Sequence, residues 1–136
     1  MMTIPRRDFL MLAGAVLAGT RLAPASTDDG LTRPMYGLIG KMTAAPGQRD
    51  ALAAILLEGT EAMPGCLSYV IATDPADADA LWITEVWDSA ESHRASLALP
   101  GVKAAIAKGR PLIAGFSDRV ETVPIGGTGL ARSPAR

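Results

Sequence analysis

Few side chains in this chain of 136 residues can hold or move a proton in an apolar setting, and they crowd into one stretch. Leu81-Trp82-Ile83-Thr84-Glu85-Val86-Trp87-Asp88-Ser89-Ala90-Glu91-Ser92-His93 contains both tryptophans and the single histidine. An imidazole titrates near pH 6.5 when unperturbed, which makes His93 the natural general base at neutral pH. A half-buried histidine bonded to a backbone carbonyl is the plainer reading. Glu85 stands among apolar neighbours, so its carboxyl must be paired, or neutral with a raised pKa. It either does acid–base work beside His93 or forms an interface salt bridge with Arg119 or Lys41.

These groups need a strand and a helix to place them. Leu81 to Trp87 is dense in β-branched and aromatic residues and reads as a strand. Alternation puts Glu85 on the same face as Leu81, Ile83 and Trp87, with Trp82 on the other. At most one tryptophan therefore lines a given pocket, and the other packs in the core. Asp88 and Glu91 form a D-x-x-E capping pattern, which predicts a helix from about Ser89 to Ala98. On it His93 shares a stripe with Ala90, Ser96 and Leu97 that turns toward the sheet. Tyr69 on a second strand either bonds a substrate oxygen or forms part of the wall. Cys66 packs as a small apolar residue.

The rest of the chain supplies the frame. Tyr36 to Thr43 reads as a strand whose Gly37 and Gly40 permit a bulge or a close approach. A helix is predicted from about Gln48 to Met63, with Leu52, Ile55, Leu56 and Gly59 as its packing stripe. Pro64-Gly65 stops it, and Cys66 to Thr73 is a strand. Asp74, Asp77 and Asp79 mark a solvated hairpin turn; the glycine and terminal glutamate of a calcium loop are missing. After Leu99-Pro100-Gly101 come a short helix over 102–108 and a strand over 116–123. The order β-α-β-β-α-(α)-β is α+β and ferredoxin-like. Strands two and three are apolar on both faces, so pairing of two protomers through their sheets is expected, with a hollow enclosed between them.

Composition narrows the classes. Hydrophobic residues at 49% with 20% charged residues exclude a disordered chain, and the net charge of −1 argues against nucleic acid as a partner. One cysteine and one histidine leave no basis for a disulfide framework or a cysteine- or histidine-rich metal site. Residues 1–25 pair Arg6-Arg7-Asp8-Phe9-Leu10 with a short apolar run and Ala23-Pro24-Ala25, as a twin-arginine export signal does. If it acts as such a signal, its removal is expected to leave no stable membrane anchor and to place the protein in the periplasm. A lead-in over 26–34, a domain over 35–123 and a glycine-containing tail over 124–136 follow.

Pro64-Gly65-Cys66-Leu67-x-Tyr69 and Trp82-x-x-Glu85-x-Trp87-x-Ser89-x-Glu91-x-His93 together resemble the antibiotic biosynthesis monooxygenase domain, most closely its small quinol monooxygenase group. The resemblance spans roughly residues 35–123. It implies ferredoxin-like subunits paired into a dimeric α+β barrel, and oxidation of quinols or small phenols by dioxygen without metal, flavin or haem. A small aromatic substrate, dioxygen and a second copy of the chain are then the partners, and no cofactor is required. His93 and Glu85 would be catalytic, with Trp87, Trp82, Tyr69 and Ser96 contacting substrate.

Two departures qualify the match. Many members carry further histidines where this chain has Ser96 and Gly101, which bears on any multi-histidine proton relay. A binding module that keeps the barrel cavity without turnover is the alternative. Haem degradation is a weaker third reading, because that branch uses an asparagine in its first strand and this chain contains none.

Overall fold

The computed structural model describes residues 33–131. The expected export signal, most of the lead-in and the last residues of the tail lie outside the described residues. Strands β1 (Tyr36–Ala44), β2 (Cys66–Thr73), β3 (Ala80–Trp87) and β4 (Ile113–Thr122) form one antiparallel sheet in the order β2-β3-β1-β4. Helices α1 (Arg49–Gly59), α2 (Ala90–Ser96) and α3 (Pro100–Gly109) join them, with a 3₁₀ turn at Arg110–Leu112 leading into β4. This is the expected ferredoxin-like arrangement.

Cross-strand register explains which residues meet. On the helix-covered face one row runs Tyr69–Glu85–Leu38–Glu121 from β2 to β4, and the next toward the sheet's end pairs Trp87 with Tyr36. Beneath α1 the core closes on Met42, Leu52, Leu56, Leu81 and Ile83, with Leu52 and Leu81 wholly buried. Gly59 lets α1 approach α3, since a Cβ there would collide with Ala105.

Several boundaries differ from expectation for physical reasons. The first helix ends at Gly59 rather than Met63, where the Thr60 hydroxyl donates to the Leu56 carbonyl at 2.6 Å and satisfies its last turn. Ser89, not Asp88, caps α2: its Oγ accepts from the Ser92 N–H at 3.1 Å, while the Asp88 N–H is bonded to the Gly65 carbonyl at 2.9 Å. The last strand begins at Ile113, earlier than Phe116, and carries a bulge opposite Gly40 with Asp118 at φ 52°. The aspartates build the β2–β3 turn, as expected: Asp74 accepts from the Ala76 N–H, Asp77 from Asp79, and Asp79 from Gly47.

Among the described residues no helix lies over the other sheet face. Val70, Thr84, Ile39 and Val120 form a row across all four strands there, with Val70 and Val120 half exposed. The described part of the tail crosses toward the outer strand. Pro124 packs near Gly37, and the Ala131 N–H reaches the Leu67 carbonyl at 2.8 Å.

Candidate active site

A cavity of about 110 Å³ lies between the helices and the sheet of a single chain. A hollow was expected between the sheets of two protomers; the one within this chain opens on the opposite, helix-covered face. Gly40 contributes to its floor, and a residue without a side chain in the middle of β1 leaves space where its neighbours Leu38 and Met42 fill theirs. Leu56, Met63, Val102, Ile106, Ile83 and Phe116 supply an apolar lining, whereas Glu85, His93, Tyr69 and Ser96 bring the polar groups. A void of ~150 Å³ lined by Leu, Ile and Phe is enough to take up benzene, so this one is on the scale of a single ring.

Glu85 and His93 arrive from different elements. Glu85 projects from the middle of β3, and His93 from the second turn of α2, held over the sheet by the Ser89 cap. His93 Nε2 stands 3.6 Å from Glu85 Oε2, beyond hydrogen-bond length but close enough for one hydroxyl or water to bridge the two. The Trp87 indole N–H donates to the same Oε2 at 2.8 Å and fixes the carboxyl. Trp87 is almost wholly buried and packs its ring edge-on to the imidazole at 5.4 Å.

Burial sets the protonation of both groups. It pushes the Glu85 pKa up to about 7, against the pull of the Trp87 N–H and the Arg119 charge. It also lowers the His93 pKa below its ordinary value, assisted by Arg119 and Arg94 and opposed by Glu121. Near neutrality the pair therefore holds a neutral imidazole beside a carboxyl that is close to half protonated, an acid and a base in one apolar pocket.

The remaining predicted residues separate into two groups. Trp87, Tyr69 and Ser96 line the cavity with Glu85 and His93. Ser96 donates its hydroxyl to the His93 carbonyl at 2.6 Å, so toward a ligand it can only accept. Burial, then the Glu85 charge, raises the Tyr69 pKa, so its hydroxyl stays protonated. Trp82 departs from the expected substrate contacts. It lies on the uncovered face, where its N–H donates to Asp74 at 3.0 Å and Lys41 sits 5.6 Å above its ring.

Within the chain, the two cations considered as interface partners for Glu85 pair with other carboxylates. Lys41 pairs with Asp74 at 3.0 Å and Arg119 with Glu121 at 3.1 Å. Burial, then the Glu85 charge, raises the Cys66 thiol to about 11, consistent with a packing role. Tyr36 was not anticipated at the site; its alternation with Leu38 along β1, on the face of Leu38 and Met42, was the available signal. Among the described residues no group of three or more His, Cys, Asp or Glu side chains is placed to hold a metal ion.

This arrangement has relatives. Residues 35–108 match the antibiotic biosynthesis monooxygenase family. The chain belongs to that family. A solved structure from Chloroflexus aurantiacus J-10-fl, provisionally named an antibiotic biosynthesis monooxygenase, is 70% identical over 71% of this chain and 99% of its own, with a TM-score of 0.70. A Caulobacter crescentus CB15 structure of the same provisional name shares the fold at 17% identity, covering 73% of this chain and 97% of its own, with a TM-score of 0.62. No curated protein matches the chain.

Proposed function

We propose that this family member is a monooxygenase that oxidises single-ring quinols or small phenols with dioxygen. The observation that carries the reading is the buried Glu85–His93 pair, 3.6 Å apart, at the polar side of a ring-sized apolar cavity. Once deprotonated, such a substrate is itself the reductant, so the reading needs no bound electron carrier.

The steps balance with these two residues alone. Neutral His93 takes the proton of a ring hydroxyl. The phenolate passes one electron to dioxygen, and the radical pair joins at an unsubstituted ring carbon ortho or para to that oxygen, where the returning His93 proton gives a hydroperoxide. His93 then removes the hydrogen of that carbon as the O–O bond breaks. Neutral Glu85 protonates the leaving hydroxide, so one oxygen atom ends as a quinone carbonyl and the other as water. Proton return from His93 to Glu85 through one bridging water resets the site. Trp87 and Tyr69 present the walls for the ring, and the helices keep bulk water from the radical pair.

Two protomers covering each other's uncovered sheet faces, and export to the periplasm through residues 1–25, belong to the same proposal. The row Val70–Thr84–Ile39–Val120 supports the first and the paired arginines the second. A second reading, a binder without turnover, is favoured by Ser96, whose committed hydroxyl adds no further base. Oxygen uptake with a panel of single-ring quinols divides them. The monooxygenase predicts uptake by the wild type and little by His93→Ala, whereas tight quinol binding without uptake supports the binder.

A further inference from the structure

We propose that Tyr36 is a positioning residue for His93: its ring, pinned through Glu121 and Arg119, holds the imidazole with Nε2 toward Glu85. This deepens the reading above and rests on it for the catalytic consequence, though the geometry stands by itself. The Tyr36 ring lies 4.9 Å from the imidazole at a 37° tilt, while Trp87 meets the imidazole edge-on at 5.4 Å. Two aromatic rings thus restrict the imidazole, and His93 is buried to 6% exposure although α2 lies at the end of the sheet.

The ring of Tyr36 is itself fixed. Its hydroxyl donates to Glu121 Oε1 at 3.1 Å, and Arg119 bonds the same oxygen at 3.1 Å. The bulge at Asp118 permits this, because it restores Glu121 to the face of Leu38 after the extra residue in β4. Beyond Tyr36 lies an open cleft lined by Arg33, Met35, Glu91 and Glu121. Tyr36 therefore stands between this cleft and the imidazole, and it does not line the cavity where a substrate ring would sit.

The charged and titratable groups acting on His93 come from every side: Glu85 on β3, Arg119 and Glu121 on β4, and Arg94 on its own helix. Losing the Tyr36 ring admits water to the imidazole and frees it to turn. Since the chain has one histidine, its ¹⁵N imidazole resonances report titration and tautomer without ambiguity.

Full-length protein, without substrate, is titrated by this method as wild type, Tyr36→Leu and Tyr36→Phe. Tyr36→Leu is expected to raise the His93 midpoint by ~0.5 pH unit or more and to mix the two tautomers, with Tyr36→Phe moving less in the same direction. In oxygen uptake, Tyr36→Leu lowers kcat about tenfold to 100-fold with KM unchanged, and adds nothing to His93→Ala. An unchanged titration and tautomer in Tyr36→Leu overturns the proposal, as does a raised KM at constant kcat. Should Tyr36→Leu not fold, Glu121→Ala loosens the pin from the surface and must mix the two tautomers, whereas loss of its charge alone only lowers the midpoint. If no quinol is oxidised by the wild type, the functional reading fails, while the resonances still decide the role of Tyr36.

Discussion

Glu85 Oε2 lies between two groups that treat it differently: the Trp87 N–H at 2.8 Å holds it, and His93 Nε2 at 3.6 Å faces it without bonding. The carboxyl is thereby fixed in place while its proton remains available. His93→Ala removes the base and is expected to lower kcat by ~10²–10⁴-fold. Glu85→Gln keeps the size and a partner for Trp87 but cannot exchange a proton, so steady-state rates should fall there too, with KM little altered.

The pH profile follows from the same two shifts. Activity needs neutral His93, so it rises as pH passes the depressed imidazole pKa, below the usual 6.5. It also needs protonated Glu85, so it falls as pH passes about 7. The optimum is a narrow bell on the acid side of neutrality. Glu85→Gln should lose the alkaline limb. A profile that stays flat from pH 5 to 9 in the wild type would remove both assignments.

Stability carries the opposite sign for this carboxyl. Its folded pKa of about 7 exceeds the unfolded value near 4.5, so between these pH values the folded state binds more protons and stability falls as pH rises. Above pH 7 the cost is on the order of 3 kcal/mol. Glu85→Gln is therefore expected to melt higher than wild type at pH 8, with the advantage shrinking toward pH 4.5. Thermal unfolding across that range checks it.

Much of this was legible in the residues, and the exceptions have definite causes. The strand at Leu81 to Trp87 declared itself by alternation, and the i, i+3, i+4 relation of His93, Ser96 and Leu97 placed the imidazole over the sheet. Tyr36 and Glu121 were hidden because they reach His93 from strands far away in the chain. Gly40 allowed for a bulge, but its position at Asp118 on the neighbouring strand leaves no mark in residue polarity. Ser89 and Asp88 compete for one cap, and only the Gly65 contact decides between them. Gly40 is part of the cavity floor, and a missing side chain has no hydropathy signal.

Gly40 therefore offers a test by volume. Gly40→Val fills the cavity floor, suits a strand better than glycine and touches neither Glu85 nor His93 by substitution. Quinol binding measured by calorimetry should weaken at least tenfold, with the Tm retained or raised. Undiminished binding would place the ligand elsewhere.

The uncovered sheet face gives a prediction about assembly. Val70→Asp puts a charge in the row Val70–Thr84–Ile39–Val120. Sedimentation should show a wild-type dimer and a monomeric or much weaker variant. A wild type that sediments as a monomer at micromolar concentration contradicts the pairing.

The most direct measurement is the fate of labelled oxygen. Wild-type protein turning over a single-ring quinol under ¹⁸O₂ should yield a quinone with one ¹⁸O atom, the second appearing in water, at a rate that collapses in His93→Ala. Quinone formed without label, or label incorporated equally fast by His93→Ala, would contradict the account.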